Sequence, residues 1–173
     1  MSVPSPARLL LSALAAGDQR AFAALYDRLG APMLRVAAAM LGADEAQDAV
    51  QDVFVALARS RERLLLVEDL DSYVFACLRN VVGKRSKRAA TDRKQLTELA
   101  IAARSTPPAP AESDEELEQA LRQLPPDQRE VVALKIDGEL TFAQIAEVLG
   151  VSPNTAASRY RYTLEKLRRM IAE

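Results

Sequence analysis

The chain has 173 residues, enough for one domain or two small ones, and 49% of them are hydrophobic, ample for packed cores. A single cysteine excludes an intrachain disulfide and the lack of histidine removes the usual zinc spacings, so the default expectation is a cytoplasmic protein with no metal or cofactor. A net charge of −1 argues against a general nucleic-acid coat, and no nucleophile, paired-carboxylate or phosphate-cradling constellation points to an enzyme.

With six glycines, no tryptophan and few β-branched runs at period two, the expected fold is all-α. No apolar run is long enough to span a bilayer. The N-terminal Leu9, Leu10 and Leu14 read as a short amphipathic helix rather than a targeting segment. Asp18 caps a helix carrying Phe22, Leu25, Tyr26 and Leu29. Gly30 separates it from a second helix that begins near Pro32, carries Met33, Val36, Ala37 and Met40, and ends at Gly42. Asp44 and Gln47 form a capping box for the next helix, with Ala46, Val50, Val53, Phe54 and Leu57 on its buried stripe. After a loop, Asp71 caps a helix whose core side holds Tyr73, Val74, Cys77 and Val81; Cys77 is read as a small buried hydrophobe.

The end of that helix is basic: Arg79 to Lys94 holds seven bases and one acid. Gln95 to Glu116 then holds one base and five acids, around a TPPAPAE run that suits neither helix nor strand. The composition predicts two small helical domains, over 1–92 and 113–173, joined by a flexible Pro-rich linker over 93–112.

The densest signals lie between Thr141 and Met170. Thr141 with Gln144 makes a capping box, Gly150 suits the left-handed position after the helix end, and Ser152-Pro153 opens another helix three to four residues on. This is helix-turn-helix spacing. On the second helix Tyr160, Leu164, Leu167 and Ile171 form an apolar stripe, while Thr155, Ser158, Tyr162, Lys166 and Arg169 lie opposite, flanked by Arg159 and Arg161. The first turns of a recognition helix enter the major groove, so Asn154, Thr155, Ser158, Arg159 and Tyr162 are placed to meet base edges or nearby phosphates. A basic, one-sided helix also describes an ordinary surface helix. The conjunction of caps, turn and small polar residues favours DNA binding.

In order, DAVQDVFVALAR (Asp48 to Arg59), LRNVVGKRSKR, the Pro-rich linker and LPPDQREVVALKIDGELTFAQIAEVLGVSPNTAASRYRYTLEKLRR resemble a bacterial extracytoplasmic-function sigma factor, from about Phe22 to Arg169. The resemblance implies binding to core RNA polymerase, promoter DNA as the second partner, and regulation by an anti-sigma factor. It implies that Asp48, Val50, Gln51, Asp52 and Phe54 dock on the polymerase. The −10 element would be read by Tyr73, Arg79, Asn80, Lys84, Arg85, Lys87 and Arg88, with a captured base held by the loop Arg61 to Leu70. The −35 element would be read by Asn154, Thr155, Ser158, Arg159, Arg161, Tyr162 and Lys166. The family commonly has bases where Asp71, Ala76 and Ala157 stand, so the isolated chain is expected to grip DNA weakly. A dimeric helix-turn-helix regulator is the alternative; it leaves the acidic helix and the first basic patch unexplained.

Overall fold

The computed structural model describes residues 3–97 and 114–172, and among these every regular element is a helix. Helix α1 spans Pro6–Ala15; Ser5 accepts a bond from the Arg8 amide at its start. Its buried edge is Leu11 and Leu14, with Leu9 exposed, so the predicted amphipathic helix forms with its apolar side one residue round.

Asp18 caps α2 as expected, but α2 is one unbroken helix, Gln19–Leu41, with Pro32 inside it. The predicted break at Gly30 does not occur. An internal proline removes one backbone bond and costs about 3 kcal/mol. Against that, Leu25, Leu29, Met33, Val36 and Ala37 form a continuous buried stripe across the site, and full burial of a large apolar side chain contributes about 1.5–3 kcal/mol. Packing therefore overrides the local signal.

Gly42, at φ 92, turns the chain directly from α2 into α3, Ala43–Arg59. The predicted Asp44–Gln47 capping box is absent, because α3 already begins at Ala43 and Asp44 sits within its first turn. There Asp44 and Glu45 still complement the helix dipole. Ala46, Val50, Val53 and Leu57 are buried as predicted, joined by Ala49, and half-buried Phe54 meets the Tyr26 ring edge-on at 5.3 Å.

A short 3-10 turn, Arg61–Leu66, leads to α4, Leu70–Thr97. Its cap is Asp69 rather than Asp71: Asp69 Oδ1 accepts from both the amide and the hydroxyl of Ser72 at 2.8 Å. Asp71 instead pairs with Arg28 at 2.8 Å. The core side of α4 is Val74, Phe75, Leu78 and Val82, with Tyr73, Cys77 and Val81 half-buried at its margin. The helix continues through the first five positions of the expected linker, 93–97; positions 98–112 lie outside the described residues.

Helices α5 (Asp114–Gln123), α6 (Pro126–Ile136), α7 (Phe142–Leu149) and α8 (Pro153–Ala172) form the second half. Arg129 closes the end of α5 by donating to the carbonyls of Leu121, Arg122 and Leu124. The two halves pack together around a hydrophobic core that runs from Leu11 to Ala156, and Ala120, Leu124 and Leu167 form a smaller cluster within the second half. Phe75, fully buried on α4, lies against Gly138, where an added Cβ would stand 3.3 Å from its ring. Polar contacts rim this seam: Arg35 donates to the Asp137 carbonyl at 3.3 Å, Gln144 to Asp69 at 3.3 Å, and Arg79 to Glu130 at 2.7 Å.

Candidate nucleic-acid interface

The helix-turn-helix forms through the local bonds its sequence announces. Thr141 and Gln144 cap each other, Gly150 is left-handed at φ 68, and the Ser152 hydroxyl accepts from the Thr155 amide at 3.1 Å. These contacts fix where α8 starts and which face it turns outward. Asn154, Ser158, Arg159, Arg161 and Tyr162 are exposed along that face.

Two of the expected −35 residues have other engagements. The Thr155 hydroxyl lies 2.8 Å from that of Ser152, within the cap. Lys166 is half-buried and donates to Gln128 of α6 at 3.3 Å. The inward face differs from the predicted stripe as well: Ala156, Thr163 and Leu167 are buried, Tyr160 and Leu164 partly so, and Ile171 is exposed. Thr163 escapes a hydrophobic pattern because it is polar, yet its hydroxyl donates one turn back to the Arg159 carbonyl at 2.8 Å, so burial leaves no polar group unsatisfied.

On the first half, Tyr73 lies beside the Arg61 to Leu70 loop in a cleft of about 590 Å³ whose walls include Arg63, Leu66, Asp69 and, from α7, Glu147. Burial alone would raise the Asp69 carboxyl, but hydrogen bonds from Ser72 and Gln144 and the charge of Arg28 outweigh it and hold the group below the usual carboxylate value. A second cleft, about 640 Å³, has Arg79, Asn80, Lys84 and Lys87 on one wall and Asp127 and Glu130 on the other. Arg88 is exposed nearby in sequence. Arg85 points elsewhere: its guanidinium spans to α3, 2.6 Å from Asp52 and 3.9 Å from Glu45. The hydrogen bond to Asp52 pushes its pKa up further, against a smaller opposing effect of burial.

Of the residues expected to dock on polymerase, Asp48, Gln51 and Asp52 are exposed on α3 and Phe54 is half-buried. Val50 is 3% exposed; its side chain is committed to the core and supports the helix from beneath. Beside the exposed set, Tyr26 and Leu34 of α2 keep large apolar surfaces in water, bordering a groove that Gln47 and Gln51 share. Sequence reasoning missed that apolar margin, and also Asp69 and Glu130. Only Asp69 had a signal, an acid three residues ahead of Ser72.

Cys77 is half-buried, and burial pushes its thiol up despite a hydrogen bond with Tyr73. No helix among the described residues is long and apolar enough to cross a membrane.

Comparison with known proteins places this geometry. The sigma-70 region 2 model matches residues 25–91, and the model for sigma-70, region 4 matches residues 114–167. The RNA polymerase sigma factor CarQ of Myxococcus xanthus is 30% identical over 136 residues, covering 74% of this chain and 75% of its own. Among solved structures, CnrH in complex with the cytosolic domain of CnrY has a TM-score of 0.69 at 24% identity, covering 97% of this chain and 98% of that one. The sigma factor RpoE from Bartonella quintana, in complex with the anti-sigma factor NepR, has a TM-score of 0.64 at 20% identity, covering 95% and 92%. The chain belongs to the sigma-70 family of RNA polymerase sigma factors, in its extracytoplasmic-function group.

Proposed function

We propose that this protein works in the cytoplasm without catalytic activity of its own, binding core RNA polymerase and directing it to promoters. The acidic exposed face of α3, with Asp48, Gln51 and Asp52, docks on a basic surface of the polymerase, where opposite charges steer association and set register. Phe54 and the Tyr26 margin add apolar area. Helix α4 and the loop before it read the −10 element: Arg79, Lys84, Lys87 and Arg88 follow phosphates, Asn80 offers an amide, and Tyr73 and its cleft receive an unstacked base. Helix α8 reads the −35 element through Asn154, Ser158, Arg159, Arg161 and Tyr162.

The observation that carries this reading is the outward row on α8, exposed along one face and held in place by two consecutive helix caps. An anti-sigma factor is the expected regulator, as both solved neighbours are complexes, one of them with a protein of that name. A groove of about 710 Å³, with Leu117, Leu121, Ile136 and Leu164 among its walls, offers such a partner apolar surface.

In vitro transcription with purified core polymerase on a genomic library tests the proposal. The wild type should yield promoter-specific transcripts, and Arg159→Ala should weaken −35-dependent initiation by about tenfold or more, as loss of one good base contact costs about 1–3 kcal/mol. No core-dependent transcript from the wild type on any template would overturn it.

A further inference from the structure

The two tyrosines of α8 go opposite ways. Tyr160 is half-buried and packs on Phe142 of α7, with ring centroids 5.6 Å apart. Tyr162, two residues on, is 57% exposed and makes no hydrogen bond, ion pair or ring contact with the other described residues. A singly exposed aromatic is ordinary on a protein surface, so its exposure alone decides nothing. Its place does: Asn154, Ser158 and Tyr162, at i, i+4 and i+8, are all exposed on the outward row of the helix that follows the turn.

The groups around the ring limit what it can read. In the major groove guanine is taken by an arginine or lysine donating to O6 and N7, and adenine by a side-chain amide. The row offers neither beside Tyr162. Ser158 lies one turn before it, and Lys166, one turn after, directs its ammonium to Gln128 of α6 at 3.3 Å. Glu165, three positions on, has Arg169 as its partner at 3.9 Å. Arg159 and Arg161, exposed on either side, can supply the charge that holds this face to DNA. What Tyr162 itself brings is one hydroxyl and a broad apolar ring. Thymine is the base that presents a methyl group in the major groove, and apolar side chains recognise it there.

Building on the sigma-factor reading, we propose that Tyr162 selects thymine within the −35 element: its ring packs on the C5 methyl of one thymine, and the hydroxyl is dispensable for that choice. Burying the methyl group against the ring removes apolar surface of both from water, which is the source of the preference.

The test uses the holoenzyme, the chain with purified core polymerase, on a promoter taken from the genomic library and randomised through its −35 element. Wild type should favour thymine at one step, on either strand, and Tyr162→Ala should lose that preference. At that step a synthetic template with deoxyuridine in place of thymidine keeps every hydrogen-bonding group and lacks only the methyl. Wild-type initiation at limiting holoenzyme should fall about 4-fold on it, the worth of one buried methyl group. Tyr162→Ala should use both templates equally, and Tyr162→Phe, which keeps the ring, should discriminate as wild type does. Thermal melts establish that the variants are folded, and the wild-type comparison of the two templates needs no variant. Equal use of the two templates by wild type overturns the proposal. So does loss of the preference in Tyr162→Phe, which would assign the contact to the hydroxyl, or a deoxyuridine defect that persists in Tyr162→Ala, which would assign the methyl to another side chain. Absence of any core-dependent transcript defeats the sigma-factor reading itself, whereas promoter-specific transcripts without a methyl effect defeat only the role given to Tyr162.

Discussion

Arg85 of α4 lays its guanidinium on Asp52 of α3, with Nη2 at 2.6 Å and Nε at 3.2 Å from the same carboxylate oxygen. The contact joins a base that the sequence resemblance would assign to the −10 surface to an acid proposed for the polymerase surface, so neither side chain is independent of the other. Both are partly in water, at 26% and 54% exposed, which limits what the pair adds to folding. A double-mutant cycle with Arg85→Ala and Asp52→Ala should return a coupling below about 1 kcal/mol in urea unfolding. Core-polymerase affinity should nevertheless fall for Asp52→Ala, since the partner loses a charge on the exposed face of α3. A coupling of several kcal/mol would show that the pair is structural instead.

Two glycines near the domain seam and the helix-turn-helix should fail for different reasons when replaced by alanine. At Gly150 a Cβ meets nothing within 4 Å, but φ is 68, so Gly150→Ala costs only the left-handed backbone penalty, about 1–2 kcal/mol. At Gly138 the Cβ would stand 2.8 Å from the Leu134 carbonyl oxygen and 3.3 Å from the Phe75 ring. Something must move there, and the carbonyl belongs to rigid backbone. Gly138→Ala should therefore loosen the contact between the domains as well as lower Tm, whereas Gly150→Ala should lower Tm with the seam intact. Small-angle scattering beside thermal melts checks this; an unchanged radius for Gly138→Ala would refute the seam argument.

What could be read from the sequence was what depends on neighbours along the chain. The Thr141–Gln144 box, left-handed Gly150 and the Ser152 cap are each complete within four residues, and all three form. Where a distant helix decides, the local pattern misled. Pro32 continues α2 because a buried stripe crosses it, and α4 turns Phe75 and Leu78 inward because it packs on the second domain as well as on α2 and α3. The same limit applies to the site. Exposed Asn154 and Arg159 were legible from helical periodicity, but the partners of Arg79 and Arg85 come from α6 and α3, and no spacing announces them.

Thr163 gives a direct check on one such correction. It is fully buried, and its hydroxyl bonds the Arg159 carbonyl, which belongs to the helix ladder in any case. Thr163→Val keeps the shape and removes the hydroxyl, so stability should change by less than about 1 kcal/mol. Thr163→Ala removes a buried methyl group and should cost more. A large loss for valine would mean that the hydroxyl serves another partner.

Asp69 and Asp137 should respond to acid with opposite signs. Burial pulls the Asp69 carboxyl upward, but Ser72, Gln144 and Arg28 more than offset it, leaving a folded pKa below the reference 3.8. A depressed folded pKa contributes stability above the unfolded value, and that contribution is lost as pH falls through the folded one. Asp137 is raised above 3.8 by burial, only partly countered by Arg35, so its contribution is present below the unfolded value and lost as pH rises through the folded one. At neutral pH Asp137 is therefore a cost. Asparagine caps helices about as well as aspartate, so Asp69→Asn isolates the charge. Urea unfolding at about pH 7 should show Asp69→Asn less stable and Asp137→Asn more stable than wild type, and both differences should shrink by about pH 3.5. Shifts of the same sign at neutral pH would contradict this assignment of causes.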